Sequence, residues 1–257
     1  MKALFALLRT SLMTALQYRG DLVFQLLTGV IRTASALAPL WLVFQHTERV
    51  GGWTAGESTA VMGFFLLLQA FQGGMLEPNL GEVVEAIRKG TLDLWLLKPA
   101  DSQLIVSLRK IDPAYAWDTV AGLSVVGFAL SRMDVVRPID LMVAVWLFFC
   151  GLMSIYGLWL FATCTSFFWV RVDNLRYLLI SFADAGRWPI HVFSGWIRIL
   201  LTVVVPVAVV TSFPATALRG DWGIGLGLAG TSIAALFLAV SRWAWLRSLA
   251  RYTSASS

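Results

Sequence analysis

Residues 141–169, LMVAVWLFFCGLMSIYGLWLFATCTSFFW, run without a single Asp, Glu, Lys or Arg. A helix of about 20 residues crosses the ~30 Å hydrocarbon core of a bilayer, where backbone groups must find their partners within the protein. A charge-free block of this length therefore points to a helix in a membrane. Comparable blocks occupy residues 22–44, 58–76, 113–131 and 222–245. Another, 174–213, is interrupted by Pro189 and Pro206, with Pro214 just beyond. Composition agrees: the chain is 58% hydrophobic and 14% charged, against about one quarter charged in soluble domains. A transmembrane β-barrel needs alternating segments of ~10 residues, and the runs here are continuous.

The expected fold class is an all-α integral membrane protein, a single transmembrane domain over residues 1–257 with six transmembrane helices. The spans fall at about 22–44, 58–76, 113–131, 141–169, 174–190 and 222–245, with a loop at 77–111 and broken or re-entrant helices at about 191–215. Residues 1–20 set Lys2, Arg9 and Arg19 among apolar neighbours. Arg9 interrupts the compact apolar core that a signal peptide requires, so an amphipathic helix lying at the membrane surface is expected there. With this topology thirteen of the 20 Lys and Arg residues fall on the side of the termini and the 77–111 loop. Six (Arg49, Arg132, Arg137, Arg187, Arg198, Arg219) fall on the other, and Arg32 stays inside the first span. The positive-inside rule then places both termini and the loop in the cytoplasm. A pI near 9.6 does not imply nucleic acid, because the cations are scattered among spans instead of forming a patch. Cys150 and Cys164 share one span, ~21 Å apart along the helix, and cannot form a disulfide with each other.

The 77–111 loop is charged where its neighbours are apolar. Leu80, Val83, Val84 and Ile87 recur at helical spacing on one face, while Glu82, Glu85, Arg88 and Lys89 take the rest. Asn79 is placed to cap the start and Gly90 to end the helix in a left-handed conformation. This predicts a discrete helix over 80–90, Gly81 included, of two to three turns. It is too short to stand alone and needs a surface for its apolar face. Lipid headgroups would serve, and so would a groove on a cytoplasmic protein. In that second case Val84 and Ile87 are the expected anchors.

Within the spans, Gln25, Thr28, Arg32 and Ser35 form a polar stripe at three- and four-residue steps. A charge at that depth costs at least ~2.5–3.5 kcal/mol and faces protein or water. Two readings stay open. The stripe, together with Asp118 of the third span, lines a translocation path, or Arg32 is structural and pairs with an acid, Asp118 being the candidate. Asp184 and Arg187 are expected to form a local ion pair or an interfacial anchor, not a substrate site. No catalytic or metal motif emerges. The run 225-GLGLAG-230 matches a dinucleotide fingerprint only in letters, since it lies inside a span and not in a βαβ unit. Gly223, just ahead of it, and Gly227 form GxxxG and suggest close helix packing instead. His46 and His191 are expected to be solvated or interfacial. There is no phosphate-binding GxxxxGK[ST] loop, and no cofactor is expected in this chain.

Four stretches carry a resemblance. GEVVEAIRKGTLDLWLLKP, ADAGRWPIHVF, VVVPVAVVTSFPATAL and the ending YTSASS resemble, in order, a bacterial subfamily of about 260 residues among the ABC-2 type transporter permeases. The resemblance implies a six-span subunit of the bacterial cytoplasmic membrane that does no chemistry itself. It implies two copies of a separate ABC ATPase, which hold ATP and Mg, and a second six-span permease of the same or a homologous chain. Residues 80–90 would be the coupling helix that meets the ATPase, and the prolines of 189–214 would mark a re-entrant hairpin. Export of a small or amphipathic substrate is the expected function. A non-transporting membrane scaffold that recruits a cytoplasmic partner through the same helix is the alternative.

Overall fold

The computed structural model describes residues 19–97, 99, 101–133, 135–168 and 173–252. Residues 1–18 of the expected surface helix lie outside them. The described chain is helical, with one isolated bridge between Val50 and Trp53. The helices are α1 (Arg19–His46), α2 (Ala55–Phe71), α3 (Glu77–Lys89), α4 (Asp93–Leu96), α5 (Ser102–Ser107), α6 (Ala116–Arg132), α7 (Pro138–Cys164), α8 (Asp173–Ala183), α9 (Gly195–Ile199), α10 (Val207–Val210), α11 (Ser212–Leu218) and α12 (Ile224–Leu249). Four stretches are long and apolar enough to cross a bilayer: Leu26–His46, Ala55–Lys89, Pro138–Phe167 and Ile224–Leu249. Gly195–Val204 and Val207–Leu218, bent by 71° around Pro206, would make a fifth. Length and hydropathy thus give four to five crossings where the sequence predicts six. Helix α6 has 17 residues, or ~25 Å, and α8 has only 11.

Helices α2 and α6 lie antiparallel and touch along their length. A Cβ on Gly56 would come within 3.1 Å of the Arg132 carbonyl, one on Gly63 within 2.6 Å of Val126, and one on Gly122 within 2.7 Å of Leu67. Small residues at these steps let the two backbones approach, which is how helices associate in lipid. Gly63→Leu is expected to destabilise the purified protein by about 1–3 kcal/mol. Gly127→Leu, at a glycine that faces open space, is expected to leave the melting temperature unchanged. A thermal melt in detergent reads both.

Helices α7 and α12 pack in parallel. Gly230 sits against Leu147 and Gly157 against Phe237. Phe167 then meets Trp245 edge-on, with ring centroids 5.8 Å apart. Gly151 of α7 receives the α10 backbone at Val210. The close-packing role that the sequence suggests for Gly223 and Gly227 is not realised within the chain; both face open space and Gly230 makes the contact instead. Outward faces carry the bulky residues, among them Val145, Trp146, Phe149, Leu228 and Leu236. Large apolar groups outside and small ones between helices is the pattern lipid solvent favours.

The expected discrete helix over 80–90 is corrected. Helix α2 continues through a π turn, Gln72–Leu76, into α3. Two details explain why the proline at 78 does not stop it. The π turn shifts the ladder, so that Glu77 N–H bonds to the Gln72 carbonyl. Pro78 has no N–H for the Gly74 carbonyl, and that carbonyl is taken by the N–H of Asp112 at 2.9 Å. Asn79 is not a cap either. Its side-chain amide donates to the carbonyls of Met75 and Lys110, and its Oδ1 accepts from the Lys110 N–H at 2.9 Å. The helix ends where the sequence predicts, at Gly90 with φ +66°.

Candidate functional site

At the α3 end of the bundle, Leu80, Val83 and Ala86 are buried against Trp159, Leu160 and Val106, and Ile87 is partly buried in the same cluster. The inward face of α3 therefore serves the chain's own core. Glu82 holds the returning chain: it pairs with Arg109 at 3.3 Å and with Lys110. The Arg109 guanidinium lies 3.7 Å over the Trp95 ring. Glu85 pairs with Arg88 at 3.1 Å and Lys89 at 3.4 Å, all three exposed. Arg176 reaches Glu77 at 3.5 Å. The outward face left over comprises Glu85, Arg88 and Lys89, with Gly81 and Val84 half-buried at the edge of a groove of about 270 Å³ floored by Trp159, Ala162 and Thr163.

Two apolar residues beside this face escape helical-periodicity reasoning on 80–90. Leu94 is 65% exposed and Leu97 80% exposed, in and just after the short helix α4. Leu92 is fully buried, and Trp95 and Leu96 are partly buried against the same cluster. The sequence does hold the signal: in LDLWLL, Leu94 and Leu97 stand three apart, on the side away from Leu92, Trp95 and Leu96.

Behind this surface, α5 is clamped to two spans. Arg242 of α12 grips Asp101 with two bonds, 2.7 and 3.0 Å, and also donates to Gln103. Trp245 donates to Ser102 at 3.1 Å. Gln103 donates to the Tyr156 hydroxyl at 2.9 Å, and Ser107 lies 2.8 Å from it. The Arg242 guanidinium holds the Asp101 carboxyl below its ordinary value of 3.8. A carboxylate with a lowered folded pKa keeps its contribution above the ordinary value and loses it only as pH falls through the lowered one. The clamp is thus intact throughout the neutral range and opens only in acid. Arg242→Ala is expected to raise amide hydrogen exchange over residues 104–108 at neutral pH, with little change at α7; unchanged exchange would mean the clamp holds nothing.

The polar stripe of α1 is only partly gathered by the structure. Arg32 reaches Asp118 with two bonds, from Nε at 3.2 Å and from Nη2. Its guanidinium also lies 5.0 Å from the Tyr115 ring centre. The Asp118 side chain is fully buried and that of Arg32 one third exposed. The pair named in the structural reading is therefore present, and it does not by itself exclude the path. Thr28 turns its hydroxyl to the Phe24 carbonyl and is exposed, as is Ser35. The Gln25 side chain lies outside the description. At this crossing Gly29 abuts Trp117, whose indole N–H donates to Thr33 at 3.3 Å.

The opposite end is closed around Trp53, which is 1% exposed. Its indole N–H donates to Nδ1 of His191 at 3.2 Å. His191 itself is exposed, in keeping with the solvated or interfacial position expected of it. Arg219 bridges Glu57 at 3.4 Å and Asp221 at 2.7 Å. Asp184 and Arg187 pair at 2.9 Å, as expected. Cys150 and Cys164 are both buried and free on α7.

Comparison with known proteins tests the resemblance. No curated protein and no solved structure matches the chain. A family model described as ABC-2 family transporter protein matches residues 30–256, a range that contains Arg32, Asp118, α3 and every span after the first. With that match over nearly the whole chain, and with apolar helices long enough to cross a bilayer beneath it, the protein belongs to the ABC-2 transporter family, as a membrane permease component of an ATP-binding cassette transporter.

Proposed function

We propose that the chain is one of two six-span permease subunits of an exporter for a small or amphipathic substrate, driven by two copies of a separate ABC ATPase. ATP and Mg would be held by that ATPase, and this chain contributes no cofactor. In this reading α6 and the broken α8–α11 region are the third and fifth spans. The α3 end faces the cytoplasm, supported by the Arg and Lys residues gathered there: Arg88, Lys89, Arg109, Lys110, Arg176 and Arg251. Residues 80–90 couple to the ATPase, but through the outward edge of Gly81, Val84, Glu85, Arg88 and Lys89, extended by Leu94 and Leu97. Leu80, Val83 and Ile87 position that edge from behind.

The observation that carries this reading is the continuity of Ala55–Lys89 as one 35-residue apolar-to-charged helix. A displacement applied at the α3 surface is delivered to α2 with no loop to absorb it, and rigid movement of packed helices is how such work is transmitted. The α5 clamp spreads the same displacement to α7 and α12. Arg32 and Asp118 fix α1 to α6 near the path. The test is purification of the tagged chain from its native membrane in mild detergent. An ABC ATPase should accompany it, with ATP hydrolysis that the permease modulates. A chain that purifies alone, from membranes in which an ATPase is present, would favour the scaffold.

A further inference from the structure

At the Trp53 end a cavity of about 830 Å³ opens between α1, α2 and α6. Its deep wall is apolar: Leu37 and Leu40 from α1 and Val125 from α6, with Phe44 and Phe128 higher up. Its charged groups gather toward one end, where α2 begins and α6 finishes: Glu57, Arg132 and Arg219, with Thr54 beside them. From Ser124 at the bottom to Arg132 at the rim is eight helical residues, ~12 Å. Two acids and two arginines meet at that rim, and among the described residues both acids are held by the same arginine. Glu57 is engaged by Arg219, which also holds Asp221. Arg132 makes no ion pair among the described residues; its guanidinium rests 5.2 Å from the Phe128 ring centre, on the cavity wall. Trp41, Phe128 and Val135, on the lining, are 64%, 54% and 91% exposed, so the opening lies on apolar surface of the kind that meets lipid.

We propose that this cavity is a binding site for an anionic amphiphile that enters from the surrounding leaflet, its chain along Leu37, Leu40 and Val125 and its acidic head at Arg132. The shape supplies apolar burial over most of the ligand, with a few polar groups at one end to orient it, as small-molecule sites do. With both described acids held by Arg219, the exposed Arg132 guanidinium offers its paired N–H donors to an acidic head, which a cationic head has no means to accept. The site supplies a substrate class to the transport reading, yet it is an equilibrium property of this chain alone.

The test uses the purified chain in nanodiscs of zwitterionic phospholipid, without ATPase or nucleotide. Two photoactivatable single-chain probes are compared, a fatty acid and an alkyl quaternary ammonium of equal length. The fatty acid should label peptides covering residues 37–44 and 124–136 saturably, and excess unlabelled fatty acid should displace it. The ammonium should label these peptides several-fold less. Arg132→Glu should weaken fatty-acid labelling at least tenfold, Arg132→Lys by no more than about threefold, and Ser124→Trp, which fills the floor, should abolish it. Equal labelling by both probes, labelling spread evenly onto the outward face at residues 139–149, or indifference to Arg132→Glu in protein that elutes and melts like the parent would overturn the site. Because no ATPase is involved, a negative result here leaves the permease reading standing, and a chain that purifies without an ATPase leaves this site standing.

Discussion

Arg32→Leu is expected to destabilise the bundle by about 3 kcal/mol or more and to release α1 from the rest of the protein. Breaking a buried ion pair by removing one partner costs about 3–5 kcal/mol, because the remaining charge is stranded. Here the stranded group would be Asp118, whose side chain has no exposed surface. Arg32 is its ion-pair partner, and the Arg32 side chain is one third exposed, which puts the cost toward the lower end. The pair also sits where α1 has little else to hold it: only 17% of the most apolar window of this helix is buried in the chain. Gly29, Thr33, Ala36 and Leu40 make further contacts with α2 and α6, and Leu37 and Phe44 pack beside them. The double variant Arg32→Leu/Asp118→Leu removes both charges together and is expected to recover most of the loss, since apolar replacement of a whole buried pair is commonly neutral or stabilising. Thermal melts and disulfide trapping between α1 and α6 separate the outcomes. If the double variant melts normally but no longer transports, the pair belongs to the path; if it transports normally, the pair is structural. A single variant that melts like the parent would show that Arg32 holds nothing.

That pair was legible in the sequence because lipid makes the rule strict. A guanidinium in the middle of an apolar run has to find a partner, and the candidate acids within the neighbouring runs are few. The all-helical fold was legible for the same reason, since hydrocarbon permits no other way to satisfy a long continuous apolar backbone. The number of crossings was less so. Helix α6 is short, and α8–α11 is divided by Pro189, Pro206 and a π turn at Leu200–Val204, so hydropathy alone does not count them.

The start of α3 was misread for an identifiable reason. Gly73, Gly74, Pro78 and Asn79 together look like punctuation, and each is a helix breaker or cap in isolation. What converts them into helix interior is a contact distant in sequence: the Asp112 N–H that takes the carbonyl freed by Pro78, and the Tyr115 ring lying against Gly73. Local propensity has no access to either. The same blindness affects the apolar face of α3. Periodicity correctly groups Leu80, Val83 and Ile87 on one side, but it cannot tell whether that side meets a partner or the chain itself. The core formed by Trp159, Leu160 and Val106 decides that question.

Under the proposed coupling, the residues that matter are Leu94 and Leu97 and not the inward face of α3. Leu97→Asp is expected to reduce ATPase co-purification about thirtyfold or more while the permease melts within about 0.5 kcal/mol of the parent. A residue 80% exposed contributes little to its own fold, so substitution there stays in the small range typical of surfaces. If it is an anchor in a partner's groove, burying a carboxylate there costs at least ~2 kcal/mol, as truncated anchors do, and each 1.4 kcal/mol is tenfold in affinity. Leu94→Asp should behave alike. Val83→Asp is the opposite case: Val83 is fully buried, so that change should unfold the α3 end and lose the ATPase only as a result. Ile87→Asp, at a half-buried position, should lower both. Arg88→Ala removes an exposed i,i+3 pair with Glu85 and should cost well under 1 kcal/mol in either readout. If α4 lay on headgroups instead, Leu97→Asp would leave the ATPase bound and only raise hydrogen exchange across residues 93–97. An ATPase that stays bound and coupled in both Leu94→Asp and Leu97→Asp would place the contact elsewhere, because no other large apolar side chains stand so exposed between the end of α3 and the start of α5 among the described residues.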